Sequence, residues 1–157
     1  MKKIVVVGLG NISHRHRKNI RILDPNAWII AVPSRKRIVN EDVENANETI
    51  EDLDSLDLDG VTDAVIASPA NYHMKHSTFF LKENINVLIE KPLAASLDDA
   101  LSIKRFLSKS KSKSYVAYCL RFNRALNYFK ELLNDQYNGN LYSCEIHCGQ
   151  NLQDWRP

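Results

Sequence analysis

Short apolar runs alternate with segments of helical periodicity along the first two thirds of the chain. Residues 4–7 form a continuous β-branched run, which is typical of a parallel strand buried on both faces. Apolar residues then recur at helical spacing over 12–23, where Asp24-Pro25-Asn26 ends the helix, and residues 28–32 predict a second strand. The chain therefore begins with a predicted βαβ unit.

The same alternation continues downstream. Apolar runs predict strands at 64–67 and 87–89, with a weak strand near Thr49 and a short helix after it in the acidic stretch 41–59. Helices are predicted over 72–84, from a capping box at Ser96 to about residue 108, and over 122–133 up to Asn138-Gly139-Asn140. This order predicts an α/β fold with a Rossmann-type, doubly wound parallel sheet.

The pattern changes at Leu141, where apolar and polar residues alternate with period two up to Cys148. We read this as the first strand of a second, truncated α+β domain. The predicted domains are 1–120, the α/β domain, and 121–157, the start of the second domain; the glycine turn and the family resemblance described below imply dinucleotide binding for the first and a substrate or dimerisation role for the second. A strand with unpaired edges and an apolar face favours self-association, so we expect a homo-oligomer.

Charge and composition narrow the functional classes. The 21 basic and 19 acidic residues give a net charge of +2, which does not favour nucleic acid as a partner. The N-terminal apolar run is too short for a signal peptide, and no segment reaches the roughly 20 apolar residues of a membrane span. We expect a cytoplasmic protein without a membrane partner. Period-two alternation places Cys144 and Cys148 opposite His147, so we expect no metal site there.

A glycine turn follows the first predicted strand. In a dinucleotide-binding fold, Gly8 permits the tight turn and Gly10 lets the backbone approach a pyrophosphate, while Asn11 and Ile12 open the helix whose N–H groups face it. Ser13 replaces the third glycine of the fingerprint. The alternative is a tight βα turn that holds no ligand.

The end of the second strand bears on cofactor choice. A carboxylate there holds the ribose 2′-OH of NAD, but this strand runs into Pro33-Ser34-Arg35-Lys36-Arg37. Ser34 and Arg35 could bind a 2′-phosphate, and Arg35 could stack on adenine. One charge-assisted contact contributes roughly 1.5 to 3 kcal/mol, which favours NADP over NAD by about ten- to a hundredfold. The alternative is a solvated basic loop.

Five segments in order resemble the glucose-fructose oxidoreductase, inositol dehydrogenase and rhizopine-catabolism family of sugar-type oxidoreductases. They span most of the chain and comprise Gly8 to His16, Ala67 to His73, Glu90-Lys91-Pro92-Leu93-Ala94, Tyr118 to Asn123, and Asp154-Trp155-Arg156-Pro157. The closing Trp-Arg-Pro is similar to the branch that acts in bacterial surface-sugar synthesis. Arg124 stands where the family usually has proline.

This resemblance implies an NAD(P)-dependent enzyme that transfers a hydride between the nicotinamide and a hydroxyl or ketone of a sugar or nucleotide sugar. It implies that Lys91 is the active-site lysine, where an ammonium would stabilise a developing alkoxide. The other cofactor contacts that it implies are Ser68, Pro69, Ala70, His73, Glu90 and Arg156, with Trp155 beside the last. The substrate pocket is expected to be edged by Arg121, Phe122 and Asn123.

Two readings compete with this one. The family's partners for the lysine, an aspartate and a histidine on a further helix, have no counterpart in these 157 residues. The chain could therefore be a non-catalytic nucleotide-binding module or an inactive remnant of such an enzyme. A protein that binds an adenosyl cofactor or a nucleotide sugar through the same turn is less consistent with the missing acid after the second strand.

Overall fold

A computed structural model describes residues 1–135 and 139–149. Its centre is a parallel sheet of six strands, in the order β3-β2-β1-β4-β5-β6. The strands are β1 (Lys3–Val7), β2 (Trp28–Val32), β3 (Glu48–Thr49), β4 (Val61–Ile66), β5 (Asn86–Ile89) and β6 (Ser114–Val116). The strand order reverses between β1 and β4, which is where open α/β sheets form a crevice at their carboxyl edge.

Four α-helices are described along the chain. They are α1 (Asn11–Leu23), α2 (His73–Lys82), α3 (Leu97–Leu107) and α4 (Arg124–Asn134), and short 3₁₀ segments, Ala70–Tyr72 and Cys119–Phe122, precede α2 and α4. The predicted helix start at Ser96 is confirmed, because the Ser96 side chain caps α3 by accepting a hydrogen bond from the Asp99 backbone N–H at 3.2 Å.

Apolar residues cover both faces of the central strands. On one face Val5, Val7 and Ile66 pack with Phe80 of α2 and Ile103 of α3, and on the other Ile4, Val6 and Val65 pack with Ile29. Ile20 of α1 packs against the second cluster. Helices therefore lie on both faces of the sheet, which explains the continuous apolar runs and confirms the predicted doubly wound α/β fold.

The α1 helix is confirmed, but only part of the apolar residues at helical spacing is buried. Ile12, Ile20 and Leu23 recur at helical spacing. In the structure Ile12 is 39% exposed and Leu23 is 84% exposed. The fully buried positions on α1 are Ser13 and Arg17 instead. The first turn of α1 lies close to the end of β4, where the Ser13 hydroxyl oxygen is 3.4 Å from the Ala67 carbonyl oxygen.

Two further predictions are wrong within the described residues. No helix lies between β3 and β4: the turn that begins at Asp52 is not extended, because Asp57 starts a second turn by accepting a hydrogen bond from the Asp59 backbone N–H. Residues 141–148 form no strand, because a strand needs a hydrogen-bonded neighbour and no described segment pairs with them. Helix α4 ends at Asn134, and Asn138 lies outside the described residues.

The chain divides into two compact units, residues 1–118 and 119–157. The first contains the sheet and α1 to α3. The described part of the second contains the 3₁₀ segment and α4, which Asn123 caps by accepting a hydrogen bond from the Leu126 backbone N–H at 3.1 Å. No helix among the described residues is long and apolar enough to cross a membrane.

Candidate functional site

The turn after β1 is packed directly against the end of β4. Gly8 has φ +115°, and a Cβ there would lie 2.5 Å from the Ala67 carbonyl oxygen and 2.7 Å from the Ser13 hydroxyl oxygen. The Gly8 N–H also donates to the Val32 carbonyl at 2.7 Å. Both the positive φ and the lack of space require glycine at this position. Because Val32 ends β2 and Ala67 follows β4, Gly8 lies where the carboxyl ends of β1, β2 and β4 meet.

Gly10 is in a different position, on open surface. It precedes the first residue of α1 with extended backbone angles, no side chain caps the helix, and a Cβ there would meet nothing within 4 Å. The first N–H groups of α1, at Asn11 and Ile12, have no intrahelical acceptor, and no acidic residue lies in the first turn. This end of α1 can therefore receive an anion.

Ser13 occupies the place of the third fingerprint glycine and is fully buried. Its hydroxyl lies 3.4 Å from the Ala67 carbonyl oxygen, to which it donates a long hydrogen bond. A serine here keeps α1 against the end of β4 and satisfies its own hydroxyl, so the departure from the glycine pattern does not open the turn.

The basic segment after β2 lies beside two surface depressions. Ser34 and Arg35 line one of about 400 Å³, together with Leu53, His76 and Phe79. A second depression, of about 340 Å³, is lined by residues that include Gly10, Asn11, Arg17 and Arg37. Arg35 and Arg37 thus line different depressions, and Arg37 shares its depression with the glycine turn. Each volume suits part of a dinucleotide.

Arg17 is a buried cation that the sequence does not predict. It is 3% exposed, its Nε donates to the Glu44 carbonyl at 2.9 Å, and its buried Nη1 has no hydrogen-bond partner. Burial lowers the pKa of Arg17 and the nearby Glu44 carboxylate partly opposes that shift. The only signal for its burial is its i, i+4 spacing from Ser13, because arginine is ordinarily a surface residue.

Two histidines pack beneath the end of β4. The His73 ring is 1% exposed, with Nε2 2.8 Å from the Ser68 carbonyl oxygen and Nδ1 2.9 Å from the Pro92 carbonyl oxygen. A neutral imidazole can donate to one of these carbonyls, whereas a protonated ring donates to both. His73 therefore joins the loops after β4 and β5 from below, while Pro69 and Ala70 lie nearer the surface.

His76 is held as a neutral ring. Its Nδ1 lies 2.9 Å from the Ser68 hydroxyl oxygen, and it stacks on Tyr72 with ring centres 5.6 Å apart. Burial lowers the pKa of His76 to about 4, and the positive charges of Lys75 and His73 add to that shift. No local sequence pattern identifies His76 as a site residue, because its partner Ser68 lies on a different element.

The turn that carries Lys91 follows β5, next to β4. Glu90 donates its backbone N–H to the Ile66 carbonyl at 2.9 Å, and its carboxylate lies 2.8 Å from His16 Nε2 and 3.1 Å from the Lys91 backbone N. The Lys91 side chain is exposed, and the Lys91–Pro92 peptide bond is cis. The glycine turn, Ser68 and the lysine turn thus lie together at the carboxyl edge of the sheet.

Other residues predicted from the sequence belong to the second unit. Arg121 and Phe122 lie in the 3₁₀ segment before α4, and Asn123 caps that helix. Trp155 and Arg156 lie outside the described residues. Among residues 1–135 and 139–149, no group of three or more histidine, cysteine, aspartate or glutamate side chains is arranged to hold a metal ion.

Comparison with known proteins gives a family and a fold. The model of a family described as "Oxidoreductase family, NAD-binding Rossmann fold" matches residues 2–118. Over 156 residues the chain is 27% identical to glucose-6-phosphate 3-dehydrogenase of Bacillus subtilis, and over 149 residues it is 26% identical to Oxidoreductase P35 of Formosa agariphila. These alignments cover 96% and 92% of this chain, but 43% and 46% of the relatives. The chain thus spans less than half the length of these two relatives.

Two solved structures share the fold. Scyllo-inositol dehydrogenase from Lactobacillus casei, with bound NAD(H) and scyllo-inositol, superposes with a TM-score of 0.75 at 22% identity and covers 88% of this chain and 42% of its own. The WlbA dehydrogenase from Thermus thermophilus, in complex with NAD and UDP-GlcNAcA, gives a TM-score of 0.69 at 24% identity over 85% and 47% of the two chains.

Proposed function

The chain belongs to the oxidoreductase family with an NAD-binding Rossmann fold, and from that premise we propose that it binds a nicotinamide dinucleotide for hydride transfer to or from a sugar or nucleotide sugar. One observation carries the proposal. An exposed lysine, a helix end able to bind an anion and the glycine turn lie together at the carboxyl edge, where the strand order reverses.

The first unit fits such a cofactor on two counts. The open space at Gly10 and the free N–H groups of α1 suit a pyrophosphate, and the depression beside Ser34 and Arg35 suits an adenosine. Leu53 and Phe79 supply apolar contacts in that depression, and Arg35 supplies a planar cation. Pro69 and Ala70 follow β4 at the same edge of the sheet and are proposed as further cofactor contacts.

The cofactor we propose is NADP rather than NAD. No carboxylate follows β2 in the segment 33–37, which contains Arg35 and Arg37 instead. Arg35 is proposed to stack on the adenine and, with Ser34, to contact the 2′-phosphate, and Arg37, which lines the depression next to Gly10, is proposed as a second cation for that phosphate. A bound nicotinamide would accept or donate a hydride at the inner end of the same edge.

Lys91 is the proposed catalytic residue. Its ammonium would stabilise the alkoxide that develops on the substrate oxygen and exchange a proton with it. One relative is named for glucose 6-phosphate and one solved structure for inositol, and another solved structure holds UDP-GlcNAcA. Each of these compounds carries ring hydroxyls or is built on a sugar. We therefore propose a polyhydroxylated substrate, edged by Arg121, Phe122 and Asn123.

A calorimetric titration of the 157-residue chain with NADPH and NADH tests the cofactor assignment. We expect saturable binding of both, with NADPH about ten- to a hundredfold tighter, because one charge-assisted contact contributes roughly 1.5 to 3 kcal/mol. A Lys91→Ala variant should bind both with unchanged affinity, since the lysine acts on the substrate oxygen. Failure of the chain to bind either dinucleotide would contradict the proposal.

A further inference from the structure

The Glu90 carboxylate connects α1 with the turn that carries Lys91. One oxygen, Oε1, lies 2.8 Å from Nε2 of His16, and the other, Oε2, accepts a hydrogen bond from the Lys91 backbone N–H at 3.1 Å. His16 and Glu90 are 74 residues apart in sequence, and their side chains are 16% and 12% exposed. The contact with His16 is partly buried, whereas the bond to the Lys91 backbone N–H is exposed, so the first is expected to be the stronger of the two.

The other side of the turn is held independently. His73 Nδ1 lies 2.9 Å from the Pro92 carbonyl oxygen, so the residues before and after Lys91 each contact a histidine from a different helix. His73 is 1% exposed and also contacts Ser68, so replacing it disturbs the packing beneath β4. Replacing His16 releases only the Glu90 side, which makes it the cleaner position to test.

We propose that His16 is a positioning residue for Lys91 and acts through Glu90. A donor at His16 Nε2 fixes one carboxylate oxygen, which keeps the other directed at the Lys91 backbone N–H. Without that donor the carboxylate can rotate towards water, and the Lys91 N–H loses its acceptor. The helix that begins at the glycine turn then also sets the position of the lysine. The functional importance of this link rests on the proposed function, but the link itself does not.

The test is the backbone amide of Lys91, followed by NMR in the 157-residue chain without cofactor. In a His16→Ala variant we expect the Lys91 amide proton to move upfield and to exchange about tenfold faster or more, as expected on loss of a hydrogen bond to a charged group. A His16→Gln variant should restore the wild-type signal, because the Gln side-chain amide can donate to Oε1. His16→Asn, which has the same chemistry but a shorter reach, should not.

Helix α1 also contains a matched control. His14 Nδ1 lies 3.4 Å from Glu44 Oε2, a longer and more exposed histidine–carboxylate contact that does not lead to Lys91. His14→Ala should leave the Lys91 amide unchanged. An unchanged Lys91 signal in His16→Ala, or an equal change in His14→Ala, would overturn the proposal, and if His16→Ala unfolds then the Gln and Asn variants decide in the same way.

This readout separates the two proposals. The Lys91 amide is measured without cofactor or substrate, so failure of dinucleotide binding with a responsive Lys91 amide refutes the proposed function and supports the link. Tight NADPH binding with an unresponsive Lys91 amide supports the proposed function and refutes the link.

Discussion

The turn around Gly8 and the basic segment after Val32 follow neighbouring strands of one sheet, yet different interactions hold them in place. Gly8 is fixed by backbone contacts to Ala67 and Val32 that leave no space for a side chain. The segment 33–47 contains no helix and is exposed at Arg35 and Arg37. The difference suggests that substitutions at the first region change stability, whereas substitutions at the second change cofactor choice.

The largest effect is expected at Gly8. A Gly8→Ala substitution forces a Cβ against the Ala67 carbonyl at positive φ, so the free energy of unfolding should fall by about 2 to 6 kcal/mol from backbone strain and overpacking. Urea unfolding measures this change. Gly10→Ala is the matched control: its Cβ meets open space, so stability should stay within about 1 kcal/mol. Equal losses in the two variants would contradict the packing argument.

The buried His76 side chain should make the free energy of unfolding depend on pH. Its pKa is lowered from 6.5 to about 4 in the folded state, so the unfolded chain binds a proton that the folded chain does not. The His76 contribution to stability is therefore complete above pH 6.5 and decreases as the pH falls towards 4, by up to about 3 kcal/mol. Unfolding measured at several pH values should show this loss, and a folded His76→Gln variant should lack it. The same slope in both proteins would assign the loss to another group.

The exposed region should respond in cofactor preference. Arg35→Asp should weaken NADPH binding relative to NADH by about ten- to a hundredfold, equivalent to roughly 1.5 to 3 kcal/mol, and leave unfolding within about 0.5 kcal/mol. Arg37→Asp shows which arginine faces the phosphate: we expect it to affect NADPH alone, whereas Arg35→Asp should also weaken NADH through lost stacking. Calorimetric titration measures both preferences. Unchanged relative affinities in both variants would remove the basis for choosing NADP.

Local pattern was sufficient to predict the sheet. Residues 4–7 and 28–32 are continuous β-branched or apolar runs because their strands are covered on both faces, and Ser96 capped its helix as its spacing to Asp99 predicts. The period-two pattern from Leu141 to Cys148 failed as a strand predictor, since alternation gives side-chain direction but not the neighbour that a strand requires.

The contacts within the candidate site were less predictable. The glycine turn could be located because Gly8 and Gly10 act through the backbone close to their own positions in sequence. The pairs of His16 with Glu90 and Ser68 with His76 join different elements, and no local signal specifies them. Arg17 is buried because the segment after β2 folds over α1, whereas its residue type alone predicts exposure.

Because the segment 33–47 folds over helix α1, the two form one structural unit when a loop is grafted from one related protein into another. Arg17 donates to the Glu44 carbonyl, and Arg21 reaches the Asn45 carbonyl and the Asn47 side chain, which in turn accepts the Ile29 N–H. A transplanted segment of another backbone course would move the Glu44 carbonyl away from buried Arg17, whereas Arg21 would keep the Pro25 and Ala27 carbonyls as acceptors. Converting the cofactor preference by grafting therefore requires position 17 to be exchanged together with the loop.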